Sequence, residues 1–168
     1  RAGLHRLRPA LQAFSQQHPE VRLDLRFMDS EAACLAVEAG QLELAIVTLP
    51  SRPSPSLQCD ILWDDALEVV VGHGHALAGL PGITLDALTP YPAILPVAGT
   101  TTREIILAGL APIRERILIG TETNYLDVIK MLVSIGQGWS VLPHTLIDAE
   151  LKVVQIEGIH IHRQLGSV

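Results

Sequence analysis

The sequence predicts an α/β fold in which helices pack against buried sheets. Segments with the apolar period of a helix alternate with short strand-like runs, and this alternation occurs twice along the 168 residues, up to about residue 63 and again from about 67 to 142. Aromatic residues make up only 4% of the chain, so its apolar side chains are mainly Leu, Ile, Val and Ala. We therefore expect two lobes, with mostly parallel strands joined by right-handed crossovers.

The first half of the chain contains two predicted helices separated by strands. Leu4, Leu7, Leu11 and Phe14 recur at helical spacing, which predicts a helix that ends near residue 17. Apolar and charged residues alternate over 21–27, a pattern typical of a half-buried strand. The other predicted elements are a helix from Ser30 to about residue 39, a buried strand over 42–49, a Pro- and Ser-rich loop over 50–56 and a strand over 57–63.

The second half repeats the pattern with shorter elements. Adjacent acids, Asp64 and Asp65, indicate a solvated bend before it begins. The predicted elements are strands over 67–71, 93–95, 116–120, 139–142, 153–156 and 159–161, helices over 101–110 and from 124 or 125 to 135, and helical turns at 84–88 and 144–149, with a loop over 72–82.

Charge and composition exclude several classes of function. The formal net charge is −6 and the sequence has no basic run, so direct binding of DNA or RNA through this chain is disfavoured. No apolar stretch approaches the length of about 20 residues that a membrane span requires, and no signal peptide is recognisable near the start. Two cysteines, Cys34 and Cys59, are interpreted as buried thiols in a reducing cytoplasm, with a disulfide as the alternative.

The most informative stretch is the turn at residues 99–103. It follows an apolar strand and precedes a helix, so it brings Gly99 and three threonines to a helix N-terminus. Such a terminus offers backbone N–H donors and a partial positive charge, which suit a carboxylate, sulfate or phosphate. An ordinary N-cap explains the same residues, because Ser and Thr cap many helices.

Motifs for catalysis and metal binding are largely absent. The sequence lacks a nucleophile elbow, a P-loop, a zinc-protease motif and a Cys-x-x-Cys pair, so an enzyme is disfavoured. His73 with His75, and His160 with His162, form pairs that suit zinc, but surface histidines are favoured over metal ligands. Trp139 is interpreted as a core residue rather than a ligand-stacking one. No cofactor and no metal ion are predicted.

Four stretches resemble the effector-binding, or regulatory, domain of LysR-type transcriptional regulators. They lie at residues 11–21, 35–46, 75–78 and 129–143, the last ending in Gly-Gln-Gly-Trp-Ser-Val-Leu-Pro. The resemblance implies two Rossmann-like lobes of the type II periplasmic-binding-protein kind, joined by two crossover strands. The first lobe would comprise residues 1–65 with 151–168, and the second residues 66–150. The family's DNA-binding helix-turn-helix domain, and the strand and turn before the first helix, would lie outside this chain.

The resemblance also implies a function in ligand sensing. A small anionic effector would bind between the lobes and change the packing of a homo-oligomer, a dimer or tetramer, in the cytoplasm. The helix over 4–17 would pack against the helix over 125–135 of a second copy, and DNA would be bound only through the absent domain. The effector contacts carried over by position are Thr48, Gly99, Thr100, Thr101, Thr102 and Asn124. Asn124 remains either an N-cap or a ligand contact, and the alternative function is that of a periplasmic solute-binding protein.

Overall fold

Helices and strands alternate in the computed structural model, which describes residues 4–168 and side chains from residue 6 onward. Residues 1–3 of the predicted first lobe, and the side chain of Leu4 in the predicted helical stripe, lie outside this part. The helices are α1 (Leu4–Gln17), α2 (Ser30–Glu38), α3 (Thr101–Gly109) and α4 (Leu126–Ser134). The strands are β1 (Ile46–Thr48), β2 (Asp60–Gly72), β3 (Ala93–Leu95), β4 (Ile119–Glu122), β5 (Ser140–Pro143), β6 (Leu151–Val153) and β7 (Ile161–Ser167). Short 3-10 helices cover Leu85–Leu88, Ala111–Arg116 and His144–Leu146.

The chain divides into two compact units. The first runs up to Trp63 and includes Gln164–Val168, and the second is Asp64–Arg163. Strands β2 and β7 pass from one unit into the other. This division differs from the predicted lobes, because residues 151–163 belong to the second unit and not the first. The reason is that β6 pairs with the end of β2, at Val70–Gly72.

In the first unit, β7 is hydrogen-bonded to β1 on one side and to β2 on the other. Strand β1 pairs with the end of β7, with Val47 opposite Gly166. A side chain at Gly166 is excluded, since a Cβ there would lie 2.3 Å from the carbonyl oxygen of Asp60. Helix α2 contributes Ala33 to a small core that also contains Ala45, Val47 and Val168.

The second unit holds the larger core and two groups of strands. Strand β2 pairs antiparallel with β5 and β6, whereas β3 and β4 pair in parallel. Trp139 is fully buried in the core and its indole N–H donates to the carbonyl of Tyr91 at 3.1 Å, so the prediction of a core tryptophan is confirmed. The preceding residue must be glycine, because a Cβ at Gly138 would lie 2.1 Å from the carbonyl oxygen of Pro92.

The prediction of mostly parallel strands is wrong for the strand pairs described above. Strand β2 runs antiparallel to its neighbours β5 and β6, and β7 runs antiparallel to β1. Parallel pairing in the described residues is limited to the ladder of β3 with β4 and two isolated bridges, Ala93 with Trp139 and Ile83 with Ile156. The predicted bend between two strands near residue 64 is also wrong. A single strand of 13 residues spans the region, and Asp65 is buried within it because it pairs with Arg163.

The predicted strand over 21–27 is absent. No strand is assigned there, and Val21, Leu23, Leu25 and Phe27 are all exposed. In the described part of the chain this segment has no partner strand, and an alternating pattern forms a strand only where a second strand satisfies its backbone groups. Most other elements agree within a few residues, but β7 runs from Ile161 to Ser167, whereas the sequence predicts a strand only over 159–161. Strand β4 is shifted from the predicted 116–120 because the 3-10 helix continues to Arg116.

Candidate functional site

The turn between β3 and α3 is shaped by Gly99 and Thr100. Gly99 has φ +86°, a left-handed conformation in which a side chain would be strained. Thr100 is the N-cap of α3, and its hydroxyl accepts from the backbone N–H of Arg103 at 3.3 Å. The same hydroxyl donates to the carbonyl oxygen of Val97 at 2.9 Å. The N-cap interpretation of this turn is therefore confirmed.

The parallel pairing of β3 and β4 brings a second loop to this turn. Leu95 and Glu122, the last residues of the two strands, are register partners. Beyond them, the Asn124 amide oxygen accepts from the backbone N–H of Val97 at 2.9 Å. Asn124 is not the N-cap of α4, since that position is Tyr125 and no side chain caps it. Asn124 thus supports the turn before α3.

Arg103 lies in the first turn of α3 and is buried, with 8% of its side chain exposed. Its Nη1 donates to the carbonyl oxygen of Pro96 at 2.7 Å and to the Glu122 carboxylate at 2.9 Å. Its Nε is buried and has no hydrogen-bond partner among the described residues. A buried guanidinium N–H without an acceptor is costly unless another molecule supplies one.

Sequence reasoning did not select Arg103 as a site residue, although a signal existed. A cation in the first turn of a helix opposes the helix dipole. Its presence there indicates that a nearby anion compensates it. Glu122 supplies part of that compensation, and it lies at the end of β4, a position that could not be linked to Arg103 without the strand pairing.

A second buried arginine also reaches this helix. Arg163 donates from Nε to one carboxylate oxygen of Asp65 at 2.8 Å, its Nη2 lies 2.7 Å from the same oxygen, and each side chain is only 4% exposed. Its Nη1 donates to the Thr102 hydroxyl at 3.3 Å. Burial lowers the pKa of the Arg163 guanidinium, and the Asp65 carboxylate acts in the opposite direction. The predicted site residue Thr102 is therefore held by a buried ion pair.

The predicted site residues fall in both units of the chain. Gly99, Thr100, Thr101, Thr102 and Asn124 lie in the second unit, grouped around the start of α3. Thr48 lies in the first unit, at the end of β1, and is 2% exposed. Its backbone N–H donates to the Ser30 hydroxyl at the start of α2, at 3.0 Å.

The histidine pairs do not form a metal site in the described residues. No three His, Cys, Asp or Glu side chains come together there in a way that could hold an ion. His73 donates from Nε2 to the carbonyl oxygen of Ala149, while His75 packs edge-on against Tyr91 with ring centroids 4.5 Å apart. Both cysteines are free and half-buried. None of the helices in the described part has the length and apolar character to cross a membrane.

Comparison with known families agrees with this architecture. The family model described as the LysR substrate binding domain matches residues 2–167. The chain belongs to this family. It is therefore a LysR-type effector-binding domain with a fold of the type II periplasmic-binding-protein kind, not an enzyme. The matching family is the one that the sequence resembles, and not that of a periplasmic solute-binding protein.

Curated relatives of this LysR-type domain include transcriptional regulators. The chain is 28% identical over 148 residues to the uncharacterized HTH-type transcriptional regulator YnfL of Escherichia coli K12. That alignment covers 87% of the chain and 48% of YnfL. It is 25% identical over 162 residues to the RuBisCO operon transcriptional regulator of Allochromatium vinosum, covering 93% of the chain and 53% of that protein. The chain thus spans about half the length of these two regulators.

Solved structures share the fold. The regulatory domain of CcmR from Synechocystis PCC6803, in complex with 2-PG, has a TM-score of 0.81 at 24% identity, covering 98% of this chain and 81% of that one. The effector binding domain of QuiR, in complex with shikimate, has a TM-score of 0.82 at 22% identity, again covering 98% and 81%. At these identities the likeness concerns the fold.

Proposed function

We propose that this LysR-type domain senses a small anionic effector at the start of α3. The residues involved are Gly99, Thr100, Thr101, Thr102 and Asn124, all in the second unit. Helix α3 has nine residues, long enough for its N-terminus to favour a negative charge. The observation that carries the proposal is the buried Arg103 Nε, which lies in the same first turn and has no acceptor among the described residues.

The charge of the turn favours a small anion over a highly charged one. Arg103 is paired with Glu122, and Arg163 with Asp65, so each buried guanidinium has a carboxylate beside it. Attraction for the effector then comes mainly from the helix N-terminus and from hydrogen bonds, which suit a carboxylate or a single phosphate group. The 2-PG and shikimate named for CcmR and QuiR support a small organic ligand.

Two unburied apolar stripes support the proposed oligomer. Four apolar side chains are exposed by 38% to 61%, namely Val128 and Met131 on α4 and the residues that flank it, Tyr125 and Ile135. On α1, Leu7 and Leu11 are only half-buried and Phe14 is exposed, and no α1 side chain from residue 6 onward is buried. Apolar stripes at helical spacing usually bury against another surface. We propose that α1 of one copy packs against α4 of a second copy.

The mechanism is a shift between two arrangements of the oligomer in the cytoplasm. An effector that binds one arrangement more tightly than the other increases the population of that arrangement. The size of the shift is limited by the difference in affinity between the two arrangements. A separate DNA-binding domain of the same regulator would convert this shift into a change in transcription.

A screen of small anions tests the proposal. We expect a carboxylate or phosphate compound, with shikimate and 2-PG among those screened, to raise the melting temperature of the protein. Amide signals of ¹⁵N-labelled protein should then change at residues 99–103 and at Asn124 when the compound is added. A compound that stabilises the protein while perturbing only residues remote from the α3 turn would contradict the proposed site.

A further inference from the structure

The buried pair of Arg163 and Asp65 stands at a special place in the chain. Arg163 is the last residue of the second unit before the chain returns to the first, and Asp65 is the second residue after the chain enters the second unit. The pair therefore joins the two connecting strands, β2 and β7, where both pass between the units. Both side chains are almost fully buried, so solvent does little to weaken their attraction.

The third contact of Arg163 leads to the proposed effector turn. Asp65 engages Nε and Nη2, which leaves Nη1 to donate to the Thr102 hydroxyl at 3.3 Å. The guanidinium is planar, so fixing two of its nitrogens on Asp65 also fixes the direction of Nη1. Thr102 is partly buried in the first turn of α3, next to the Arg103 backbone N–H that Thr100 caps.

Resting on the function proposed above, we infer that Arg163 is a positioning residue for anion binding. Held by Asp65, it fixes Thr102 and with it the first turn of α3, and so ties the effector turn to the strands that connect the units. It does this without contacting the effector. Lysine cannot reproduce this role, because an ammonium group lacks the planar fork that reaches Asp65 and Thr102 together.

Inorganic phosphate is the probe for the test. It is titrated into ¹⁵N-labelled protein while the amide signals of residues 99–103 are followed. Arg163→Lys should raise the Kd for phosphate about tenfold, the effect of losing roughly one hydrogen bond. If Arg163 acts through Thr102, the two substitutions should not add. The Kd of the double variant, Arg163→Lys with Thr102→Val, should then be less than twofold above the Kd of Thr102→Val alone. The control is Arg116→Lys, which alters an exposed pair with Asp86 and should leave the Kd unchanged.

An unchanged Kd in Arg163→Lys would overturn the inference. So would independent effects of Arg163→Lys and Thr102→Val, whose fold-changes in Kd multiply in the double variant.

A second measurement tests the inference if phosphate does not bind the unmodified protein. Absence of phosphate binding would itself count against the proposed function at this turn. Amide exchange at Glu104, whose N–H bonds the Thr100 carbonyl oxygen at 3.1 Å, is then compared with exchange at Ile129 in α4. A rise of about tenfold at Glu104 alone, in Arg163→Lys or in the volume-conserving Thr102→Val, supports positioning. If the ratio of the exchange rate at Glu104 to that at Ile129 is the same in the variants and in the unmodified protein, the inference is overturned.

Discussion

The Thr100 hydroxyl makes two hydrogen bonds within its own turn, accepting from Arg103 and donating to Val97. Both bonds hold the backbone of the proposed effector site in place. The side chain therefore affects anion binding through the shape of the turn as well as through any direct contact. Its removal should cost both helix stability and affinity.

Thr100→Ala is expected to lower the free energy of unfolding by about 0.5–2 kcal/mol, as for other lost N-caps. It should also weaken effector binding by about 1–3 kcal/mol, the usual loss for a hydrogen bond to a charged group. Chemical denaturation and calorimetry with the anion found by screening measure the two effects. Thr84→Ala is the matched control, since Thr84 precedes a 3-10 helix without capping it through its side chain. Equal affinity in the two variants would remove Thr100 from the site.

His75 should make the protein sensitive to acid. Burial lowers the pKa of His75, and its Nδ1 accepts from the backbone N–H of Leu77 at 3.2 Å, a bond that protonation would break. The unfolded chain therefore binds a proton on this side chain more readily than the folded one. The stability that the neutral ring contributes is complete above the unfolded pKa of about 6.5 and is lost as the pH falls below it.

His75→Asn keeps an acceptor near the position of Nδ1 but does not titrate. Its free energy of unfolding should fall less between pH 7 and pH 5 than that of the unmodified protein, the difference being at most about 1.4 kcal/mol per pH unit for one proton. Urea denaturation at several pH values measures the slope. His162→Asn changes an exposed histidine and should leave the slope as it is. Parallel pH profiles for the protein and His75→Asn would exclude His75 as the acid-sensitive group.

Single residues differ in how far the sequence alone predicts them. The cap at Thr100 was predictable because it depends on neighbours within four residues. The burial of Asp65 was not, because its partner Arg163 lies 98 residues away. The sequence pattern of two adjacent acids favours a solvated bend, and only the tertiary partner reverses that expectation.

At the scale of elements, α4 presents one face to the core and another to its surroundings. Ile129 and Val133 are fully buried, whereas Val128 and Met131 are exposed. The exposed face is apolar, and a helix surface of this kind is typical of an interface. The proposed pairing of α1 with α4 between two copies would bury it.

Met131→Glu should weaken that pairing, because it brings an unpaired charge into an apolar contact. We expect the dissociation constant of the dimer to rise at least about tenfold, equivalent to roughly 1.4 kcal/mol. Analytical ultracentrifugation over a range of concentrations measures it. Leu80→Glu, in an exposed loop of the second unit, serves as the control and should leave the dimer intact. A dimer of unchanged strength in Met131→Glu would exclude α4 from the interface.

Elements defined by local pattern were predicted well, and those defined by a partner were not. Strand β3 and helix α3 begin where the sequence predicts, since a buried apolar run and a capped helix are local features. The segment over 21–27 has the alternation of a strand but no strand pairs with it in the described residues, and its apolar side chains remain exposed. Alternation indicates the potential for a strand, and pairing decides whether one forms.

For the whole molecule, the twofold α/β alternation correctly indicated two units, but the direction of β2 and β7 relative to their neighbours was mispredicted. An alternating order of helices and strands favours parallel sheets. Here β2 and β7 pass between the units. Strand β2 runs antiparallel to β5 and β6, and β7 runs antiparallel to β1. Their role as connections is set by long-range pairing, which a local pattern does not reveal.

The two connecting strands are joined by the buried ion pair of Asp65 and Arg163, and we expect the loss of one partner to destabilise the fold. Asp65→Asn leaves the Arg163 charge buried without its counter-charge, so the free energy of unfolding of the second unit should fall by about 3–5 kcal/mol. Replacing both partners, as Asp65→Leu with Arg163→Met, should recover much of that loss, because no charge then remains buried. Urea denaturation measures all variants. Asp86→Asn, which breaks the exposed pair with Arg116, should cost no more than about 1 kcal/mol. If Asp65→Asn cost no more than Asp86→Asn, the pair between β2 and β7 would not be a principal source of stability where the chain crosses between its units.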